Sequence, residues 1–234
     1  MTAPLRILVS IRTLTPLIAG EILYAPMWEG AGTKAMDITS KHNDGTLQGA
    51  PAPTWVMGHL GNALQFTIAG SSMLEVADDA DIRLDGDFTI SFWAYINSID
   101  ANYDGFIRKG SAGIVDTDAY LMYYASPFAG GTLIAPSFKR NGIESPALTI
   151  ASLTTWEHWV VTYGGGTLTW YHNGVYDGQH IGIVWTLTTD TTSLQIGRGD
   201  QYSNVIIDEY KTFDRALSST EAFEEFYRSA RGSY

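Results

Sequence analysis

Nine consecutive residues, Phe88-Thr89-Ile90-Ser91-Phe92-Trp93-Ala94-Tyr95-Ile96, constrain this chain more than any other stretch. They carry no charge, and aromatic and β-branched residues dominate them, which favours pleated and buried backbone. A half-exposed strand alternates apolar with polar side chains. This run is too dense for that and predicts a central strand. Other segments read the same way. Trp159–Tyr163 leads into Gly164-Gly165-Gly166, and Thr167–His172 runs into Asn173-Gly174, a strong type I′ hairpin signal. Ser193–Gly197 and Asn204–Phe213 are further strands. The 24 glycines and 8 prolines are spread as turn punctuation, so no linker or second domain is visible. One helix is predicted near the C-terminus. Ser218 and Glu221 have capping-box spacing, and Ala222, Phe223, Phe226, Tyr227 and Ala230 then build one apolar stripe.

Composition sets the outer limits. The 234 residues are 45% hydrophobic, 12% aromatic and 17% charged, enough for a sizeable core and against disorder. The net charge of -11 disfavours a nucleic-acid partner, because phosphate backbones repel an acidic body. The absence of cysteine excludes disulfides, thiolate metal sites and a cysteine nucleophile. No apolar run is long enough to insert in a membrane.

Residues 1–20 differ from residues 21–234. They hold Arg6 and Arg12 and no acid, so this arm carries +2 and the rest -13. Arg12 also interrupts the apolar stretch Ile7–Ile11, which argues against a secretory signal. Ile7, Val9 and Ile11 alternate with Arg6, Ser10 and Arg12, a period-two pattern with Leu8 as its exception. An isolated strand is unstable in water, so the arm pairs either with its own domain or with another chain. Arg6, Ile7, Val9, Ile11 and Arg12 are the expected assembly residues.

Beyond the arm, several motifs in order resemble a laminin-G-like domain of the concanavalin A-like lectin/glucanase superfamily. They include Tyr24–Gly32, Trp55–Gly58, Gly61–Phe66, Phe88–Trp93, Trp156–Tyr163, Tyr171–Gly174, Ile196–Arg198, Ile207–Tyr210 and Asp214–Ser218, covering about residues 22–228. The resemblance implies an all-β fold: a two-sheet antiparallel jelly-roll sandwich with one short C-terminal helix. It also implies a structural Ca²⁺ held by Asp208 on a late strand, with Asp37 and the Asn43-Asp44-Gly45 loop supplying other oxygens. The alternative for Asp208 is a hydrogen bond to a turn.

Catalytic signatures are missing. Glycan hydrolysis needs two carboxylates flanking the scissile bond, and the superfamily's glycanases carry theirs as alternating acids on one strand. Asp208 and Glu209 are adjacent, so regular alternation sends them to opposite faces. No Gly-x-Ser-x-Gly elbow, phosphate loop or zinc-like histidine spacing is present. The acid cluster Asp78–Asp87 fails as an EF-hand loop, and Arg198-Gly199-Asp200 reads as a chance tripeptide in a turn. Tyr103, Tyr120, Tyr123, Tyr124, Trp185 and Tyr202 are the candidate platform for stacking on sugar rings. The reading that follows is a non-catalytic virion protein, a capsid decoration, fibre or tail component of a phage-like particle. It is made in the host cytoplasm and contacts other subunits and possible glycan partners. A secreted carbohydrate-binding or adhesion module and a glycan-cleaving enzyme are the alternatives.

Overall fold

The structure is a computed structural model that describes residues 18–99, 104–110, 120–125, 135–185 and 190–231. Strands β1 (Glu21–Ala25), β2 (Lys34–Ala35), β3 (Gly45–Gln48) and β4 (Thr54–Met57) come first. They are followed by β5 (Asn62–Phe66), β6 (Met73–Val76), β7 (Phe88–Ser98) and β8 (Gly105–Lys109). Next are β9 (Tyr120–Ala125), β10 (Ala135–Arg140), β11 (Ile143–Pro146) and β12 (Trp156–Gly164). The last are β13 (Thr167–His172), β14 (Val175–Ile181), β15 (Leu194–Ile196) and β16 (Asn204–Phe213), before helix α1 (Ser219–Arg231).

These strands form two antiparallel sheets. Sheet I has the order β14-β13-β12-β7-β16-β5-β4, with β1 also paired to β16. Sheet II has the order β11-β10-β9-β8-β15-β6-β3-β2. The dense run Phe88–Ile96 lies in β7, flanked by β12 and β16 as its composition predicts. The Asn173-Gly174 turn closes the β13–β14 hairpin with both residues at positive φ (49° and 77°), the geometry a type I′ turn needs.

The core lies between the sheets. Phe88, Ile90, Phe92, Trp159, Val161 and Trp170 from sheet I meet Phe106, Met122, Phe138 and Ile196 from sheet II. Directly paired residues share a face. Phe138, Met122, Ile107, Ile196, Leu74 and Leu47 are paired in turn across six strands, making one apolar rung of this core.

Helix α1 covers the outer face of sheet I. Its capping box forms as the sequence predicts: Glu221 Oε2 accepts from Ser218 N at 2.8 Å, and Ser218 Oγ accepts from Glu221 N at 3.3 Å. The buried stripe differs from the expected one. Ala222, Glu225 and Ser229 are buried, whereas Phe223, Tyr227 and Ala230 are exposed. The sheet beneath offers Lys211 and the Trp93 indole N–H, and these bind Glu225 and Ser229 at 2.8 Å each. Polar partners on the sheet therefore set the helix's rotation.

Candidate functional site: the outer face of sheet II

One residue along from the apolar rung, pairing defines a second rung of opposite character. Glu144, Lys139, Leu121, Arg108, Gln195, Glu75, Thr46 and Lys34 are paired successively across all eight strands of sheet II. Strand alternation turns this rung away from the core. Only Leu121 in it is apolar. The rung thus carries cations, carboxylates, an amide and a hydroxyl on one surface.

Arg108 sits at its centre. Its side chain is fully buried, and its Nη1 donates to Asp200 Oδ1 at 2.7 Å. Asp200 comes from the turn after β15. That turn lies close on β8: a Cβ at Gly105 would come within 2.5 Å of Gly199 Cα. Beside this pair, Arg198 Nη1 donates to Gln195 Oε1 at 3.2 Å, and its guanidinium lies 4.4 Å from the Tyr202 ring centre. Ser193 Oγ donates to Glu75 Oε1 at 2.7 Å, and Ser137 Oγ to Glu144 Oε1 at 3.0 Å. Gln195, Arg198, Tyr202 and Glu75 are half-buried and so in reach of solvent. Asp78, at the sheet's end, accepts from Arg83 and Lys109; the Arg83 bond chiefly holds its carboxyl down at about 2.

The expected aromatic platform divides on this frame. Tyr202 lies on the outer face of sheet II. Tyr123 also turns outward, being paired with Ser137 and Gly105, but it is buried. Tyr120, Tyr124 and Trp185 correct the expectation: they belong to the core and cannot stack on a ligand at the surface. In β9 the residues alternate, sending Tyr120, Met122 and Tyr124 inward and Leu121 and Tyr123 outward. Tyr103 and the assembly residues Arg6, Ile7, Val9, Ile11 and Arg12 lie outside the described residues. The central members Arg108, Gln195 and Glu75 were not singled out from the sequence. Their signal was weak: single polar residues in short strands, which become a row only once eight strands are registered. Asp200 was visible only as the end of an Arg-Gly-Asp tripeptide, and its carboxylate is engaged by Arg108.

The expected calcium ligands do not form a shared site. Asp37 Oδ1 accepts from Tyr24 N and Thr39 N, both at 2.9 Å. Its Oδ2 accepts from Thr39 Oγ1 at 2.9 Å and Asn43 N at 2.8 Å. Four donors fill the lone pairs of both oxygens, so Asp37 does not fit a calcium ion and instead ties the first loop to β1. Asp208 is on another element, where Oδ2 accepts from Leu60 N at 2.9 Å and buried Oδ1 meets no partner. Burial pushes this carboxyl up to about 8. Among the described residues, no group of three or more His, Asp or Glu side chains is placed to hold a metal.

The expected opposite orientation of Asp208 and Glu209 is also corrected. A bulge between Asp208 and Lys211 places Glu209 at φ 54°, breaking the alternation. Glu209 accepts from Tyr24 Oη and Trp28 Nε1 on the outer side of sheet I. Both acids are buried, at 0% and 2% exposure, so neither faces a cleft.

Comparison with known proteins agrees with this architecture. The laminin G family profile, described as the concanavalin A-like lectin/glucanases superfamily, matches residues 69–222. The chain belongs to this family. Comparison with curated protein sequences finds no match. Among solved structures, domain 4 of an extracellular arabinanase from Geobacillus stearothermophilus, in complex with arabinotriose, superposes with a TM-score of 0.66 at 15% identity. That match covers 88% of this chain and 98% of the other. Trypanosoma rangeli sialidase in complex with sialic acid gives 0.64 at 17% identity, covering 91% of this chain and 33% of the sialidase. The binding domain of Paraclostridial Mosquitocidal Protein 1 gives 0.63 at 17%, covering 88% and 52%. This chain therefore spans about a third of the sialidase and about half of that binding domain. At such identities the likeness is one of fold.

Proposed function

We propose that this chain is a non-catalytic glycan-attachment module, and that it serves as a structural component of a phage-like virion. The observation that carries the glycan reading is the polar rung on the outer face of sheet II. Sugar hydroxyls donate and accept at once, and sugar rings present an apolar face. Gln195, Arg198 and Glu75 supply donors and acceptors, and the neighbouring Tyr202 supplies a ring. Two structures of similar fold, the arabinanase domain and the sialidase, were solved with saccharides, which supports the same ligand class here.

The absence of turnover is supported by spacing. The rung's two carboxylates, Glu75 and Glu144, stand five strand steps apart, roughly 24 Å at about 4.8 Å per step. Glycosidases need theirs about 5–9.5 Å apart. Asp200, beside the rung, is paired with Arg108. A virion location is supported by the acidic body, the lack of cysteine and the separate basic arm. A secreted binding module would use the same surface.

A glycan array followed by calorimetry with arabino- and sialo-oligosaccharides tests the ligand. Binding lost in Arg198→Ala, with unchanged circular dichroism, supports the reading. No binding to any glycan, or release of reducing ends that disappears on substitution of one Asp or Glu, overturns it. Antibody labelling of purified particles, against culture supernatant, decides the location.

A further inference from the structure

Among the described residues, five strands have one unpaired side: β1, β4 and β14 in sheet I, and β2 and β11 in sheet II. β14 is the longest, with seven residues against five, four, two and four in β1, β4, β2 and β11. The outer side of β1 is already occupied, because Tyr24 O accepts from Ile38 N and Ile22 O from Asn43 Nδ2. β14 pairs only with β13. It is also apolar where it meets water: Val175, Tyr176 and Ile181 are 67%, 55% and 73% exposed. Proteins usually blunt such an edge with lysine, proline or a covering element. β14 contains neither residue, and its one acid, Asp177, is engaged by the N–H groups of Leu148 and Thr149.

The sequence contains a segment that matches this edge. Arg6–Arg12 is also seven residues long, with Ile7, Val9 and Ile11 on one face. Its +2 charge opposes the -13 of the rest. The chain is pinned from residue 18 onward. Ile18 is buried against Phe213 and Leu217, and Ala19 O accepts from Arg215 Nε at 2.8 Å. Phe213 and Ile181 lie at the same end of sheet I, linked through Thr89, Thr162 or Tyr163, and Thr167–Thr169 by register.

Reach decides whose arm fits. From β16 to β14 is four strand steps, roughly 19 Å. Five residues lie between Arg12 and Ile18, a span of at most ~22 Å when fully extended, whereas a strand added beyond β14 lies a fifth step out, about 24 Å from β16. The chain's own arm falls short, with no length left to round the sheet end and with Pro16 in the link. We infer that β14 accepts the Arg6–Arg12 arm of a second copy of this chain, added as an extra strand. Backbone hydrogen bonds then close the edge, and Ile7, Val9 and Ile11 extend the outer apolar surface of Tyr176 and Ile181, which share one face of β14. Self-association of this kind is independent of glycan binding.

Light scattering on the full chain tests the inference. The expected result is an oligomer that Val9→Asp and Ile181→Lys each convert to monomer, with circular dichroism and glycan binding unchanged. The chain has no cysteine, so separately purified Val9→Cys protein can be mixed with Tyr176→Cys, Gln179→Cys or Ile181→Cys protein and oxidised. A reducible dimer containing one of each is expected for at least one pair. A monomeric full chain, an oligomer indifferent to both charge variants, or cross-linking only when both cysteines are in one molecule overturns it.

Discussion

The outer face of sheet I is closed by a helix, whereas that of sheet II is open in part. Arg108, Leu121 and Tyr123 are buried at its β8–β9 middle, while Gln195, Glu75 and Thr46 are half-buried and Lys34 and Glu144 exposed. On sheet I, Ala222 packs with Val160 and Tyr171, and Phe226 lies 5.7 Å from Trp93. His59 stacks on the same indole at 3.6 Å. Charged groups there pair internally, as in the Lys211–Glu225 pair at 2.8 Å. On sheet II the central rung is polar, and several of its members stay in reach of water. The difference teaches where to look for function in this fold. A face whose charges pair internally beneath a helix contributes stability, whereas a face that keeps some donors and acceptors in reach of water can bind.

The comparison breaks most readily at the closed face. Lys211→Ala leaves Glu225 buried without its partner, and Glu21 and Glu209 lose the same neighbouring cation. Removing one member of a buried pair costs about 3–5 kcal/mol. A denaturant titration should show that loss, with α1 detaching first by hydrogen exchange. A loss below about 1 kcal/mol would mean that the helix is held by its apolar contacts alone.

Asp37→Ala comes next. It strands the Tyr24, Thr39 and Asn43 amides, and each buried donor left unsatisfied costs about 1–3 kcal/mol, less where water enters. The expected total is a clear drop in melting temperature. Chelator should leave the wild-type melting curve unchanged, because hydrogen bonds already occupy both Asp37 oxygens. A chelator-sensitive melt in protein shown by elemental analysis to carry calcium would overturn this.

The two regions should also answer pH in opposite senses. Burial raises Glu21, in β1, to about 7 from an ordinary 4.5. The folded state then holds a proton that the unfolded chain releases, so stability falls as pH rises from about 4.5 to 7. Asp78 is the reverse, held down to about 2 chiefly by Arg83. Its contribution is complete above about 4 and is lost as pH falls through 2. Asp208, raised to about 8 by burial, acts in the same sense as Glu21, so Glu21→Gln should make the first limb of a melting-temperature profile shallower, and Asp78→Asn should flatten the second. Both effects are expected to be a few degrees. A profile unaltered by either substitution would remove the electrostatic part of the contrast.

The central strand of the closed sheet, its β13–β14 hairpin and the helix start were legible in the sequence because each carries its signal locally: the dense Phe88–Ile96 run, the Asn173-Gly174 turn, the Ser218/Glu221 box. The rotation of α1 was not. It depends on Lys211 and Trp93, which reach the helix only through tertiary packing. The rung on sheet II was even less visible. Its members are single residues scattered from Lys34 to Gln195, and only strand register makes them neighbours. Asp208 and Glu209 were misread for a related reason: a bulge inserts one residue into a strand without marking the local pattern.

The smallest effect on stability, and the one that tests function, belongs to the open face. Gln195 is half-buried, and its Oε1 accepts from Arg198 Nη1 at 3.2 Å. Gln195→Ala leaves no buried charge unpaired, since Arg108 keeps Asp200. A surface change of this kind usually shifts stability by less than about 0.5 kcal/mol. Affinity should respond differently. The amide sits between Arg108 and Glu75 in the rung, so a saccharide lying across β8, β15 and β6 would lose a donor and an acceptor together. One lost hydrogen bond to a neutral group is worth about 0.5–1.5 kcal/mol, so losing two should weaken binding by about tenfold. Calorimetry against the best glycan, beside a denaturant titration of the same protein, separates the outcomes. Weaker binding at unchanged stability places the saccharide on the rung. Unchanged binding, with Arg198→Ala equally silent, moves the ligand off sheet II and removes the reason for calling the open face the functional one.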